Sequence, residues 1–569
     1  MTLARYSRIK SERMILARYS GTVLRYSAAL LRLSFGASIG TAFTLPAGVP
    51  PVADLYVDAG ANCGIGAGTM AQPYCTIGEA VAGAVDGDVI RIAAGSYVEN
   101  LVLDSDVTLV GTSGQALTTI DGGMNGSVVT VTFTGDATVD GVTITGGSDS
   151  GITNRGYLVL RNSTVTGNTV TTNFGGGGIY HDRAGTLTLR NVLVSGNSAL
   201  GGTGAFGGGI FAGVGGRVWI ESSTISGNTA LRGGGTYSFG NDVTIMSSTV
   251  SGNRANSHGA VLLDGFSEII NSTISGNMGG GVSFTQSLFS GNYLRIRSST
   301  IFGNDGGGVS HGLPGAVSIA NSVVAGTINA EDLTDFCVSN GFNFVGSSSG
   351  LTGLVDGVNG DQVGSPAAPI DPFLGPLMRN GGPTMTHQAL AGSPLIGRGN
   401  QVHLEPVDQR GAVRVAGYVD IGSTEENNGN LPGCSSVPNS TGSIGAIAYS
   451  GSLEAVEDNF TLTMSSLPPH QFGAFLVAPR PGFLANPAGS AGHLCLDGTI
   501  GRFFLPSQIM GSGPSGAISL RVPLTMMPQG NGFVVALPGE TWFFQGWHRD
   551  VIVGTPASNF SAAIGVLLR

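Results

Sequence analysis

The octapeptide Arg161–Asn168, RNSTVTGN, is the first of six copies of one short phrase. The phrase returns as RNVLVSGN, ESSTISGN, MSSTVSGN, INSTISGN and RSSTIFGN, which close on Asn197, Asn228, Asn253, Asn277 and Asn304. The closing asparagines are 29, 31, 25, 24 and 27 residues apart. Self-similarity at this period indicates one supersecondary unit per repeat, stacked on its neighbours.

Three columns of the repeat have the character of β-strands. Alternating apolar residues such as Leu158 and Leu160 precede each Asn, and a β-branched residue such as Val165 stands three positions before it. Glycines and a further apolar pair follow each Asn, and no helical period interrupts them. The sequence therefore predicts an all-β fold, a right-handed parallel β-helix with three short strands per coil, with coils about 4.8 Å apart.

The repeated asparagines have a structural role in this fold. Stacked amides both donate and accept hydrogen bonds along a column, and Asn tolerates the positive φ that a sharp corner often needs. Gly147 and Thr327 occupy the column one coil before and one coil after, so the column has two ends. We therefore predict an Asn ladder that serves as scaffold and not as a catalytic group: Asn168, Asn197, Asn228, Asn253, Asn277 and Asn304.

Residues 1–53 have the composition of a leader. LARYS occurs at Leu3–Ser7 and Leu16–Ser20, and a moderately apolar run, Ala28–Thr44, is followed by small residues. We expect a signal segment for export, with a mis-assigned start and a disordered tail as the alternative. No other run is long and apolar enough to span a membrane.

Charge and cysteine content agree with an exported protein. Beyond the leader there are 19 basic and 35 acidic residues, a balance that argues against nucleic acid or an anionic membrane as partner. Cys63 and Cys75 bracket a Gly-rich loop, and we favour a disulfide there over a metal site. Cys337, Cys434 and Cys495 remain, so at least one cysteine is unpaired.

Residues 54–100 resemble the entry cap of many secreted β-helix proteins. The pattern is an aromatic before Thr-Ile, a short helix, Gly-Asp, an apolar strand and Gly-x-Tyr-x-Glu. It is carried here by Tyr74, Thr76, Ile77, Gly87, Asp88, Gly95, Tyr97 and Glu99. The resemblance implies that a helix closes the open end of the solenoid, and that Tyr97 and Glu99 belong to this cap. Coils are then expected over residues 101–330.

Residues 331–425 resemble the choice-of-anchor Q domain, which follows β-helix repeats in exported bacterial proteins. The matching residues include Asp371-Pro372, Asn380–Thr384, Thr386-His387, Asp408–Gly411, Arg414 and Asp420–Gly422. The resemblance implies a β-helix terminus on a surface or secreted protein, and no reaction. We expect its polar residues to pin the last coils through buried hydrogen bonds and ion pairs: His387, Asp408, Arg410, Arg414 and Asp420.

The chain ends in a different kind of module. A Gly/Asn/Pro-rich linker, residues 426–441, precedes alternating runs over residues 442–569 that predict a β-sandwich. The stretch Gln545–Asp550, followed by Ser558-Asn559-Phe560, resembles a module of secreted bacterial repeat proteins to which we assign no activity. Trp542, Trp547 and His548 could line a sugar site, although core packing is the favoured interpretation.

Parallel β-helices include polysaccharide lyases and hydrolases, but the fold alone gives no reaction. Asp182 and Asp264 stand in one column three coils apart, farther than the roughly 5–9.5 Å pair of a glycosidase. Asp356, Asn359 and Asp361 could hold Ca²⁺, but a turn is favoured there, so no cofactor is expected.

A binding surface is the remaining candidate site. Tyr180, Phe211 and Tyr237 fall in one column on three consecutive coils, and His181, Asp182 and Arg183 would supply polar edges. Facing outward, this column would contact a polysaccharide or cell-surface glycan; the alternative is a stack that shields a sheet edge or faces the lumen. We therefore predict a secreted or cell-surface protein, non-enzymatic, that serves adhesion or glycan binding. A polysaccharide lyase or glycoside hydrolase of the pectate-lyase-like superfamily is the alternative.

Overall fold

The computed structural model describes residues 53–61, 66–171, 175–182, 185–240, 242–285, 292–311, 317–349, 351–390, 392–400, 405–412, 414, 419–425, 436–451, 459–530, 532–538, 540–552 and 555–568. The predicted leader, Arg183, Cys63, Cys434 and most of the predicted linker lie outside these residues. In the described part of the chain, no helix is long and apolar enough to cross a membrane.

The central part of the chain is a right-handed parallel β-helix, as predicted. Equivalent residues pair in register from coil to coil, so that Leu158 lies beside Leu187 and Leu187 beside Val218. These residues, like their counterparts in the other two sheets, point into a lumen filled with buried Val, Ile and Leu side chains. Because each coil buries its apolar face only against its neighbours, the stack forms one continuous core.

Three long parallel sheets form the walls of the solenoid. The first sheet contains Asp54–Val57, Asp88–Ile92, Asp106–Gly111, Asp136–Asp140, Tyr157–Arg161, Thr186–Arg190, Arg217–Glu221, Asp242–Met246, Phe266–Ile270, Tyr293–Arg297, Val317–Ala320 and Val338–Ser339. The second contains Gly95–Val98, Thr118–Asp121, Thr143–Thr145, Thr164–Thr166, Leu193–Ser195, Thr224–Ser226, Thr249–Ser251, Thr273–Ser275, Thr300–Phe302, Val323–Ala325, Phe344–Val345 and Gln362–Val363. The third contains Leu101–Leu103, Ser127–Val131, Ser150–Asn154, Ile179–His181, Ile210–Ala212, Thr236–Ser238, Val261–Leu263, Val282–Phe284 and Val309–His311.

A further small parallel sheet lies directly after the closing asparagines. Its strands are Thr169–Val170, Ser198–Ala199, Thr229–Arg232 and Arg254–Ser257. The repeat pattern did not predict it, because its strands are short and differ in sequence from coil to coil. Val170, Ala199 and Ala230 nevertheless form a small apolar cluster of their own outside the lumen.

The Asn ladder is confirmed. Each amide nitrogen donates to the side-chain oxygen of the next asparagine, as from Asn197 Nδ2 to Asn228 Oδ1 at 3.0 Å, and the backbone N–H of Asn197 donates to the same oxygen at 2.9 Å. The six side chains are fully buried. The expectation that these asparagines adopt positive φ is wrong: the glycine before each one does, with φ of 67° at Gly167 and 62° at Gly196.

The positive φ of non-glycine residues occurs at the opposite corner, between the first and second sheets. Asn162, Asn191, Ser222, Ser247, Asn271, Ser298 and Asn321 have φ between 47° and 53° there. Residues with short polar side chains tolerate this left-handed conformation better than others. The ladder asparagines do not have positive φ, and their side-chain amides point along the column.

A second ladder, of serines, lines this other corner. The backbone N–H of Ser223 donates to Ser248 Oγ at 3.1 Å, and that of Ser248 donates to Ser272 Oγ at 3.2 Å. Each hydroxyl in turn donates to the carbonyl two residues earlier in its own coil, as from Ser248 Oγ to Met246 O at 2.7 Å. Serine stands five residues before five of the six ladder asparagines, and Val192 takes this position before Asn197.

The helix Ile77–Gly83 closes the first end of the solenoid, as predicted. Thr76 and Glu79 form a capping box, and the carboxylate of Glu99 accepts the backbone N–H groups of Ile77 and Gly78, both at 2.8 Å. An anion at a helix N-terminus satisfies donors that the helix leaves open. Glu99 is therefore part of the cap.

The C-terminal module is built from antiparallel sheets around its own apolar clusters. One sheet contains Ala446–Ser450, Thr461–Ser465 and Ile518–Arg521. Another contains Phe472–Ala478, Gly501–Arg502, Met510–Gly511, Thr541–Ile552 and Thr555–Leu567. Two hairpins, Arg480–Leu484 with Leu494–Asp497 and Met527–Gln529 with Gly532–Val534, complete it.

The cysteines divide between bridged and free. Cys75 and Cys495 are each disulfide-bonded. Because Cys63 and Cys434 lie outside the described residues, the pairing of Cys63 with Cys75 stays a prediction. Cys337 is free and buried, and burial raises the pKa of its thiol to about 12.

Candidate functional site

The predicted aromatic column lies on the outer side of the third sheet. Tyr180, Phe211 and Tyr237 pair in register on three consecutive coils and are half-buried. Their ring centroids are 5.4 and 5.5 Å apart, with interplanar angles of 12° and 4°. We call these three residues, together with Phe206, the aromatic ladder, because the ring of Phe206 also stacks on Tyr237 at 4.9 Å.

The faces of the rings in the aromatic ladder cover one another. Phe211 lies between Tyr180 and Tyr237, so only its edge is open to a ligand along this column. Arg232 places its guanidinium 5.8 Å from the centroid of Phe206, which adds a cation at one end. Burial raises the pKa of the Tyr237 hydroxyl, so the phenol stays neutral. The ladder offers ring edges, phenol hydroxyls and one guanidinium.

Of the three residues predicted to border the ladder, the structure describes His181 and Asp182, and it does not place His181 beside the rings. His181 shares a column with Leu103 and Val131 and points into the lumen, fully buried. Its Nδ1 lies 3.0 Å from Asn154 Nδ2, and burial lowers its pKa to about 4.

Asp182 remains at the surface of the solenoid. Its carboxylate lies 3.7 Å from the guanidinium Nε of Arg155, in the preceding coil. Arg183 lies outside the described residues. Along the third sheet, Asp264 follows a strand three coils from the one that precedes Asp182, and it accepts a hydrogen bond from Asn292 at 2.8 Å.

The outer face of the first sheet carries a feature that the sequence reading missed. Trp219 points outward from the centre of Arg217–Glu221 and is 39% exposed. Its register partners are the small residues Thr188 and Thr244. The signal was present, because Trp219 falls between the two lumen-facing residues Val218 and Ile220, where period-two alternation places a side chain outside.

Ion pairs cross the same face from coil to coil. Arg190 pairs with Glu221 at 3.3 Å and Arg217 with Asp242 at 3.7 Å, one on each side of Trp219. Opposite charges on neighbouring strands stabilise sheet pairing modestly. The local charge around the indole therefore sums to zero.

The described residues between Asp371 and Glu425, which we call the strap, lie along the outer face of the second sheet. Thr249 Oγ1 donates to Met385 O at 2.5 Å and Thr273 Oγ1 to Gln409 Oε1 at 2.6 Å. The Gln409 amide also donates to Ser248 O and Thr384 Oγ1. The strap thus bonds to consecutive coils.

The charged residues of the strap form a buried cluster. Arg410 Nε donates to Asp408 Oδ2 at 2.9 Å, and Arg414 pairs with Glu425 while donating to Asn271 Oδ1 at 2.9 Å. Asp420 Oδ1 accepts the N–H of Gly397 at 2.6 Å.

His387 joins the strap to the second sheet, with its Nε2 2.7 Å from Ser275 Oγ. The prediction that the polar residues pin the last coils is confirmed for His387 and Arg414, whose side chains bond to Ser275 and Asn271. The side-chain bonds described above for Asp408, Arg410 and Asp420 instead hold the strap together. Glu425 and Gln409, which were not predicted, complete the network. Burial is the largest influence on Glu425 and, against the effect of Arg414, raises its pKa to about 8.

The remaining candidates have structural partners. Asp361 accepts from Ser339 Oγ and from both the N–H and the amide of Asn343, and Asp356 accepts from Val363 N at 3.0 Å. Asn359 has φ of 54°, as in a turn. Among the described residues, no group of three or more His, Cys, Asp or Glu side chains is placed to hold a metal ion.

The aromatic candidates of the C-terminal module belong largely to its core. Trp542 is buried and its indole donates to Glu540 Oε2 at 3.1 Å. Trp547 packs against an apolar cluster, and His548 is buried. A cavity of about 130 Å³ separates this module from the strap, and the hydroxyl of Tyr449 crosses it to bond the carbonyl of Arg410.

Solved structures with a similar chain path act on polysaccharides. A pectate lyase, Pel9A, is 16% identical with a TM-score of 0.44, over 66% of this chain and 98% of that chain. A PL6-family alginate lyase is 18% identical with a TM-score of 0.32, over 51% and 42%. A pectin methylesterase is 11% identical with a TM-score of 0.27, over 55% and 93%.

At these identities and TM-scores, the three structures do not indicate a function for this chain. The assignment of the fold is based on the strand pairing described above. No protein-family model matches the chain, and no curated protein sequence matches it at a significant level.

Proposed function

We propose that this chain is an exported surface protein whose rod contacts glycans and does not cleave them. The observation that carries the proposal is the aromatic ladder, which holds half-buried rings outward on three consecutive coils of a rigid solenoid. Aromatic rings with polar handles bind ligands that present apolar and hydroxyl groups together, as sugars do. The outward position of these rings supports contact with an extended chain.

The acidic residues support a binding role over a chemical one. Asp408, Asp420 and Glu425 hold the strap, Asp361 ends the serine ladder, and Glu221 pairs with Arg190. A carboxylate that accepts several backbone or guanidinium bonds is held in place by its partners. In the described parts of the chain, these carboxylates therefore stabilise the structure through their hydrogen bonds and ion pairs.

The proposal includes export and the identity of the strap region. The composition of residues 1–53 supports a signal segment. The resemblance of residues 331–425 to the choice-of-anchor Q domain, together with the buried bonds of the strap, supports a surface-protein terminus. On this account the strap locks the coils, and the C-terminal module of residues 442–569 follows as a separate unit.

Replacement of Phe211 by Ala tests the aromatic ladder. Removing the central ring leaves Tyr180 and Tyr237 without their shared neighbour, so we expect affinity for a glycan bound along the aromatic ladder to fall about tenfold. Binding of the full chain to a glycan array, followed by calorimetric titration with the best ligand, measures this change.

Phe133→Ala is the matched control, because Phe133 is 68% exposed and lies outside the ladder. Tyr237→Phe keeps the stack and removes one hydroxyl. Unchanged affinity in Phe211→Ala, with wild-type thermal stability, would contradict a role for the ladder. Accumulation of unsaturated or shortened products during the titration would favour a lyase or hydrolase.

A further inference from the structure

Trp219 differs from the rings of the aromatic ladder in that its surroundings leave the indole open. The register places Thr188 and Thr244 on either side of it, and these side chains are much smaller than an aromatic ring. The indole N–H donates to Glu221 Oε2 at 3.3 Å, so the ring leans across the sheet toward the end of its own strand. An indole held in this way is a platform for the C–H face of a sugar ring.

The charged groups around the indole can form hydrogen bonds with the hydroxyls of a sugar. The Arg190–Glu221 pair and the Arg217–Asp242 pair flank it, and the side chains of both arginines are well exposed, at 60% and 72%. Guanidinium groups donate in a planar fork and carboxylates accept, so each pair offers both kinds of bond to a polyhydroxylated ligand.

The charge balance selects among glycans. Each guanidinium is already paired with a carboxylate, and the formal net charge of the whole chain is −10. A polyuronate would find no uncompensated cation in this pattern and would meet Glu221 and Asp242 at short range. A neutral chain meets no such penalty.

Exposed aromatic residues recur on this face at every second coil. Tyr157 lies two coils before Trp219 and is 44% exposed, and Phe266 lies two coils after it and is 47% exposed. Both stand two residues nearer the strand start than Trp219, so the three form a zigzag along the rod. Two coils rise roughly 10 Å, about the length of two hexose units in an extended chain.

The combination of ring and ion pair also recurs beyond Phe266. Tyr293 in the next coil packs edge-on against Phe266 at 5.0 Å, and the guanidinium of Arg295 lies 4.7 Å from the Tyr293 centroid. Arg295 pairs with Glu268 at 3.4 Å, again across adjacent coils. The face therefore has a repeated chemistry and not a single exposed ring.

We propose that the outer face of the first sheet, from Tyr157 to Phe266, binds a neutral, extended β-linked oligosaccharide that lies along the rod. The indole of Trp219 stacks on one sugar ring, and the two flanking ion pairs contact its hydroxyls. This site is separate from the aromatic ladder on the third sheet and stands or falls independently of it.

Titration of the full chain with neutral β-linked gluco- and manno-oligosaccharides of increasing length tests the proposal. We expect affinity to rise until the ligand reaches about four units, the span from Tyr157 to Phe266 at about 4.8 Å per coil. Trp219→Ala should weaken binding about tenfold, and Trp219→Tyr should restore part of it. Phe133→Ala, at an exposed ring that belongs to neither proposed site, should leave this affinity unchanged.

Oligogalacturonates of the same lengths form the second arm, and we expect them to bind more weakly than the neutral series. The proposal is overturned by equal or tighter binding of the uronates, by the absence of neutral-glycan binding, or by wild-type affinity in Trp219→Ala. The surface position of Trp219 keeps the fold intact, and thermal unfolding of each variant verifies this.

Discussion

The difference between an amide and a carboxylate decides whether a ladder of side chains can continue into the next coil. Asparagine both donates and accepts, so it passes a hydrogen bond to the next coil, whereas a carboxylate only accepts. The serine column ends where Ser322 N donates to Asn343 Oδ1 at 3.2 Å and Asn343 Nδ2 donates to Asp361 Oδ1 at 2.9 Å. One coil beyond Asn304, the backbone N–H of Thr327 donates to Asp332 Oδ1 at 2.8 Å. Burial raises the pKa of both aspartates. The serine ladder therefore ends on a carboxylate.

Asn228→Ala tests how much the interior of the Asn ladder contributes. The variant leaves the backbone N–H and the amide of Asn197 without their acceptor, whereas Asn168→Ala deprives only Gly147 N–H of one. A buried donor without a partner costs about 1–3 kcal/mol. We expect Asn228→Ala to lower the free energy of unfolding by about 2 kcal/mol more than Asn168→Ala in chemical denaturation. Equal losses would show that the column is not a connected network.

At the scale of elements, the strap changes the environment of the second sheet. In Thr224–Ser226 the outward residues are half-buried, whereas Thr249–Ser251 and Thr273–Ser275 are buried throughout. The repeats in these coils are nearly identical in sequence, so the difference comes from the strap and not from the coils. Buried Ser and Thr hydroxyls are tolerated there because Gln409, Met385 and Ser423 supply partners.

Glu425 makes docking of the strap dependent on pH. Three buried carboxylates, Asp408, Asp420 and Glu425, face two guanidiniums, so one proton relieves the excess negative charge. The pKa of Glu425 is raised from 4.5 to about 8, so the folded state binds this proton more tightly than the unfolded state. Its contribution to stability is full below about pH 4.5 and is lost as pH rises toward about 8.

We therefore expect Glu425→Gln to flatten the decline of the melting temperature between pH 5 and about pH 8. The glutamine stays neutral and still offers Arg414 an acceptor. Glu405→Gln is the control, because this glutamate is partly exposed and pairs with Arg297 at 3.8 Å. Identical pH profiles in wild type and Glu425→Gln would contradict the assigned proton.

The features that could be predicted from the sequence are those that every coil repeats. Six copies of one phrase were enough to place the three sheets and the Asn ladder, because every coil repeats the same local preferences. Features that occur in one coil were harder to predict. Trp219 stands in a register column between two threonines, and Phe206 reaches the aromatic ladder from a segment outside the repeat. The inward orientation of His181 also escaped prediction, because a polar residue between Tyr180 and Asp182 is expected at the surface.

At the scale of the whole rod, the outer faces of the three sheets differ in the described parts of the chain. The strap occupies the outer face of the second sheet over several coils, while the aromatic ladder and the Trp219 face lie on the third and first sheets. A rod fixed by two internal ladders holds such residues at a constant coil spacing without further ordering, and preorganisation lowers the cost of binding. The rigidity of the solenoid therefore serves recognition of a chain with its own regular repeat.

Recovery of the bound glycan after prolonged incubation tests the central claim most directly. The full chain is incubated with its best ligand from the array, and the glycan is released and weighed by mass spectrometry. The account predicts saturable binding and a recovered glycan of unchanged mass. Shortened, unsaturated or de-esterified glycan, formed in proportion to the protein present, would contradict it.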